Sequence, residues 1–265
     1  MAQKTYIPLG NLMIPSNKIK YSCVRHELTT NTENNPEVMT KLAHTLGMPS
    51  TLAFQDAYSL TDPDLLALLP RPASALLFIY PCTDHMETYY AQAHEAEPDY
   101  QGSGPDEPVM FYHQTIQHAC GLIGLLHCIT NGSAADLIQP GSDLDKFVKG
   151  ALPLRPAERA QFVHDSDILE KAHAVAAQEG DSTAPPLGED PGHAFIAFVQ
   201  AKGRLWELEG RRKGPVDLGP LDEDEDVLST KALNMGPLPF IKREEAAESG
   251  TLNFSCIVLG PSMDA

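Results

Sequence analysis

Residues Ala73–Tyr80 read ASALLFIY, eight positions in which only Ser74 interrupts an apolar run. The run falls far short of the roughly 18 to 20 apolar residues that a membrane span needs, and it is too short for a buried helix. It predicts a buried central strand, so the chain must build a sheet around it. Three further runs dense in aromatic and branched residues, Ala194–Val199 (AFIAFV), Leu205–Leu208 (LWEL) and Phe254–Leu259 (FSCIVL), predict strands to join it.

Helices are written between these runs. Asn35 caps and Pro36 opens a helix in which Val38, Leu42 and Leu46 share a face before Gly47. Asp62 and Pro63 open a second over Asp62–Leu69, which Pro70 stops. Small and apolar residues at helical spacing predict a helix over Thr115–Thr130, closed by Asn131 and Gly132. Arg155 and Pro156 open a helical region that breaks near Ser166 and resumes over Ile168–Gln178. Thr5–Leu9 reads as a short extended segment, whereas Gln92–Pro108 and Gly180–Gly192 read as loops. The acidic run Asp222–Asp226 (DEDED) reads as a solvated face and not a metal site.

Composition narrows the function. The 265 residues carry 19 Lys and Arg against 36 Asp and Glu, a formal charge of −17, which argues against a nucleic-acid phosphate backbone or an anionic membrane as partner. The five cysteines are too sparse for a disulfide framework and form no paired zinc motif. No metal or cofactor is therefore expected. The N-terminus shows no secretory pattern, and free thiols suit a reducing compartment, so the expectation is a cytoplasmic protein, with a nuclear pool also compatible.

Cys120 is the candidate for chemistry. It lies among Ala119, Gly121 and Gly124 at what reads as a helix start, where free backbone N–H groups and the positive end of the helix dipole stabilise a thiolate. A cysteine among small residues also fits a packed core thiol, so a nucleophile needs an oxyanion donor and a base beside it. Gln114, six residues upstream, is the candidate donor.

The surrounding text, FYHQTIQHACGLIGLLHCITN, resembles the nucleophile motif of the ubiquitin C-terminal hydrolases, papain-like cysteine peptidases that cleave after the last glycine of ubiquitin. Further blocks resemble family segments in the family's order. They are NNPEVMTKLAHTLG, FQDAYSLTDPDLLALLPRPASALLFIYP, PAERAQFVHDSDILEKAHAVAAQEGDSTAPP, HAFIAFVQAKGRLWELEGRRKGPVDLG and LNFSCIVLG, and together they span roughly four-fifths of the chain. The resemblance makes Cys120 the nucleophile and Gln114 the oxyanion donor. The family's general-base histidine opens the strand at a position where this chain carries Ala194. The family's aspartate, 15 positions further on, is replaced by Glu209. His193 stands one residue early. An offset of one turns a strand side chain to the opposite face, so His193 serves only if a bulge near Gly192 re-aims it. Otherwise the chain lacks its base. His113, His118, His127, Cys128, His85 and His94 read as packing or surface residues.

The resemblance implies one α/β (α+β) domain over residues 1–265: a central, mostly antiparallel sheet surrounded by helices, papain-like, with a knotted backbone. Gly10–Thr32 stands out as an atypical insertion at about 10–32, and Gln178–Gly192 corresponds to a loop crossing the active site. The implied partner is ubiquitin, bound by a monomer. The implied activity is thiol-dependent hydrolysis of ester, thioester, amide and peptide bonds at ubiquitin's C-terminal glycine. The alternative, which Ala194 raises, is a ubiquitin-binding pseudoenzyme.

Overall fold

The computed structural model describes residues 35–115, 119–177, 192–247 and 253–263. The expected segment at Thr5–Leu9, the insertion at 10–32, the active-site loop over 178–191 and His118 lie outside them.

The ASALLFIY run becomes β2 (Ala75–Pro81), and every one of its residues is buried. Its edges are occupied by β3 (His193–Ala201) and β6 (Ser255–Pro261). The six strands lie in the order β1 (Leu52–Asp56), β6, β2, β3, β4 (Arg204–Leu208) and β5 (Val216–Pro220). All five pairings are antiparallel. Two helical layers cover the faces, which explains why β2 has no polar alternation.

Side-chain alternation divides the core in two. On one face Leu77 and Ile79 of β2 and Phe195, Ala197 and Val199 of β3 pack beneath α1 (Pro36–Leu46) and α4 (Cys120–Ile129). On the other face Phe78, Tyr80, Ala194, Ile196 and Phe198 meet Met86 and Tyr90 of α3 (Asp84–Ala96). They also meet Leu233 of α9 (Thr230–Met235) and Phe240 of α10 (Leu238–Ala246). Each large side chain so buried contributes about 1.5–3 kcal/mol relative to exposure. Every residue of α4 is buried, which is why its sequence is apolar all round instead of amphipathic.

The caps at Asn35 and Asp62 form as expected: Asn35 Oδ1 accepts from Glu37 N at 2.9 Å and Asp62 Oδ1 from Asp64 N at 2.9 Å. The second helix, α2 (Pro63–Leu66), is shorter than Asp62–Leu69. α3 runs on to Ala96, through the first part of the stretch expected to be loop; Pro98 and the glycines that signal irregular chain all lie beyond its end. The acidic run also divides. Asp222, Glu223 and Asp224 are exposed, whereas Asp226 is buried, paired with Arg71 and accepting from Ala73 N at 2.8 Å and Leu228 N at 2.9 Å.

Between α4 and β3 lie α5 (Gly132–Ala135), α6 (Asp143–Ala151), α7 (Pro156–His164) and α8 (Asp167–Ala177). Arg159 of α7 is fully buried. It donates to Glu107 Oε1 at 2.6 Å, Phe111 O at 3.0 Å and Leu154 O at 3.0 Å, fixing the extended segment that leads to Gln114.

Candidate active site

Close approach to the sheet sets where α4 begins. A Cβ on Gly124 would lie 2.7 Å from Leu77 Cδ1 and 3.5 Å from Phe195 Cβ, and one on Gly132 would lie 2.2 Å from the Gln200 carbonyl oxygen. The helix therefore runs alongside β3 in the same direction. One turn back from Gly124 is about 6 Å along the helix, or about two strand residues, which brings Cys120 level with the start of β3.

Cys120 is 8% exposed and opens the helix. Burial pushes its thiol up to about 12, opposed by hydrogen bonding from the Gly121 backbone and by the Arg211 charge. Gln114 is half-buried and sits in extended chain before the helix, its N–H donating to Gly210 O at 2.8 Å. A Cβ on Gly210 would lie 2.8 Å from Ile123 Cγ2 and 3.0 Å from Gln114 Cβ. Residues 209–211 are thus wedged between Gln114 and the first turn of α4, and only glycine fits at the centre of the wedge.

The β2–β3 register runs one-to-one from Ala75↔Val199 to Pro81↔His193, with no bulge at the strand start. Just before it Gly192 turns at φ +72°, and its carbonyl accepts from Cys82 N at 2.7 Å. Alternation therefore holds: Ala194 is buried on the face away from α4, opposite Tyr80, while half-buried His193 belongs to the side of Phe195 and α4.

Glu209 is on Tyr80's side of the sheet and is buried. Its Oε1 accepts from Arg211 Nε at 2.9 Å, and Arg211 Nη2 donates to the Tyr80 hydroxyl at 2.6 Å. Glu87 of α3 reaches Arg211 Nη1 at 3.4 Å. A guanidinium thus occupies the corner beside Ala194 and engages the carboxylate expected to orient an imidazole. Neighbouring Arg212 pairs with Glu97 and, at 3.1 Å, with Glu207, whose carboxyl burial pushes up to about 7.

Arg211, Tyr80, Glu87 and Gly210 were not singled out by sequence. One signal was available: Tyr80 ends a buried run with a phenol, and a buried hydroxyl requires a partner. Among the other described histidines, His127 and His113 pack against aromatic rings. His127 Nε2 accepts from Tyr112 N at 3.0 Å and its ring stacks on Phe111, while His113 meets Phe111 edge-on. His85 is exposed. Among the described residues no group of three or more His, Cys, Asp or Glu is arranged to hold a metal ion.

Comparison with known proteins adds the lineage. The family model described as ubiquitin carboxyl-terminal hydrolase, family 1 (peptidase C12), matches residues 30–235. Ubiquitin carboxyl-terminal hydrolase 3 of Arabidopsis thaliana is 35% identical over 228 residues, covering 86% of this chain and 92% of the relative. Ubiquitin carboxyl-terminal hydrolase YUH1 of Saccharomyces cerevisiae is 32% identical over 238 residues, covering 88% and 95%. The crystal structure of the Trichinella spiralis UCH37 catalytic domain bound to ubiquitin vinyl methyl ester superposes with a TM-score of 0.64 at 19% identity, covering 87% of this chain and 94% of that one. That likeness carries the papain-like fold, and the family model and sequence relatives carry the rest: the chain belongs to the ubiquitin C-terminal hydrolase family.

Proposed function

We propose that the protein hydrolyses thioester, ester, amide and peptide bonds at the C-terminal glycine of ubiquitin, with Cys120 as nucleophile, Gln114 as oxyanion donor and His193 as base. The observation that carries this reading is the placement of Cys120, at the N-terminus of α4 and level with the start of β3, with Gln114 held in the same corner by Gly210. His193 accepts the thiol proton as sulfur attacks the glycyl carbonyl. The Gln114 amide donates to the oxygen that becomes negative. The imidazolium then protonates the leaving group, and water attacks the resulting thioester to free the glycine carboxylate and the thiol. Ubiquitin as partner is supported by the UCH37 complex and by the charge of −17, which favours association with a basic surface.

Two observations favour a second reading, a ubiquitin-binding chain with little turnover: Ala194 stands at the family's base position, and the Glu209 carboxylate is engaged by Arg211. Ubiquitin carrying a C-terminal fluorogenic amide separates the two. In the first, Cys120→Ala abolishes turnover, His193→Ala lowers it by about 10²- to 10⁴-fold, the usual contribution of a general base, and Ala194→His changes little. In the second, the wild-type protein binds ubiquitin in calorimetry with negligible turnover, and Ala194→His raises turnover by a similar factor. Neither turnover nor binding overturns both.

A further inference from the structure

We infer that His127 and Asn131 are positioning residues for Gln114: together they set the register of the extended segment 110–114 against α4, and so hold the proposed oxyanion donor level with the first turn of that helix. The inference deepens the hydrolase reading and rests on it for the role of Gln114.

The segment that carries Gln114 belongs to no strand, so no sheet ladder satisfies its buried N–H and C=O groups, and side chains do so instead. Asn131, just past the C-terminal end of α4, accepts from Met110 N at 2.7 Å and donates to Met110 O and His127 O, each at 3.0 Å. His127 Nε2 accepts from Tyr112 N at 3.0 Å, and its ring stacks on Phe111 with the centroids 5.3 Å apart. Residues 110 and 112 are thereby tied to two points four residues apart along the α4 chain.

The two spacings match. Four helical residues rise about 6 Å and two extended residues span about 6.7 Å, so a chain running antiparallel to α4 keeps pace with it. The same step onward from His127 and Tyr112 leads to Ile123 and Gln114. Those residues do flank one point: a Cβ on Gly210 would lie 2.8 Å from Ile123 Cγ2 and 3.0 Å from Gln114 Cβ, and Gln114 N donates to Gly210 O at 2.8 Å. Cys120 lies three helical residues further on, about 4.5 Å of rise. A slip of two residues in the register would carry Gln114 about 7 Å along the helix. His127 is fully buried, so it meets no substrate and acts only through the segment it holds.

The test pairs steady-state hydrolysis of ubiquitin carrying a C-terminal fluorogenic amide with hydrogen exchange of the peptide spanning 110–114. His127→Met fills the space without an acceptor. It is expected to exchange faster over that segment and to lose about tenfold or more in kcat with KM within about twofold, because an oxyanion donor acts in the transition state. His127→Gln, whose amide oxygen can accept from Tyr112 N, is expected to recover most of both losses. In a Gln114→Ala background His127→Met is expected to lower kcat little further, since the group it positions is gone. Asn131→Ser is expected to behave as His127→Met does, and takes its place if that variant does not fold. Unchanged exchange overturns the inference, as do additive losses in the double variant or equal losses in His127→Met and His127→Gln. A wild-type protein without turnover sinks the hydrolase reading instead, and exchange alone then decides: faster in His127→Met and restored in His127→Gln supports the register clamp, unchanged in both overturns it.

Discussion

One missing methyl group at residue 210 lets the first turn of α4 and Gln114, the proposed oxyanion donor, approach each other. With the Ile123 methyl 2.8 Å and Gln114 Cβ 3.0 Å from where a Cβ would sit, Gly210→Ala must push α4 and the Gln114 segment apart. Overpacking of this kind costs typically about 1–3 kcal/mol, and a displacement of about 1 Å at a reacting centre costs up to about 10²-fold in rate. Gly210→Ala is therefore expected to fold with a lowered melting temperature and to lose tenfold or more in kcat with KM little changed. Steady-state kinetics beside a thermal melt checks this, and an unchanged kcat contradicts the wedge. At this scale a residue type can suggest a chemistry, as Cys120 and Gln114 do for the proposed reaction. The sequence is silent where a charge is spoken for by a distant partner: nothing in the text marks Arg211 for Tyr80, since 131 positions separate them.

Within α4 the pattern of small and apolar residues placed the helix but set its start too early. Spacing predicts a start at Thr115, whereas the helix begins at Cys120, and upstream of it Gln114 commits its N–H to the Gly210 carbonyl. The later start puts the sulfur at a helix N-terminus. The same helix contains a buried titratable group. His127 Nε2 accepts the Tyr112 N–H, which requires a neutral ring, and burial lowers its pKa from the ordinary 6.5 to about 3. Between those values the unfolded chain binds the proton and the folded chain does not. The stability that His127 contributes is therefore complete above pH 6.5 and is lost as pH falls, by up to about 1.4 kcal/mol per unit. Urea melts of the wild-type protein and His127→Gln between pH 7.5 and 4.5 are expected to show a stability difference that shrinks toward acid pH. A difference independent of pH contradicts a neutral buried imidazole.

Across the whole molecule, a single uninterrupted strand ladder decides how the site is composed. The long apolar strands β2, β3 and β6 were legible because burial on both faces leaves a continuous hydrophobic run. β5 was not, since at the sheet edge its residues are exposed or half-buried and its sequence, VDLGP, has no apolar pattern. The same ladder sends Ala194 to the face of Tyr80 and Glu209 and His193 to the face of α4, so the acid and the histidine that a cysteine peptidase pairs are divided between two sides of β3. The proposed hydrolysis requires that the Cys120 sulfur lie where a glycyl carbonyl of ubiquitin can be delivered to it. Incubation with ubiquitin vinyl methyl ester, followed by intact-mass and peptide analysis, tests this most directly. The expected result is one ubiquitin added per chain, attached at Cys120 and absent in Cys120→Ala. No adduct on a protein whose Cys120 still reacts with iodoacetamide, or an adduct at Cys82 instead, contradicts it.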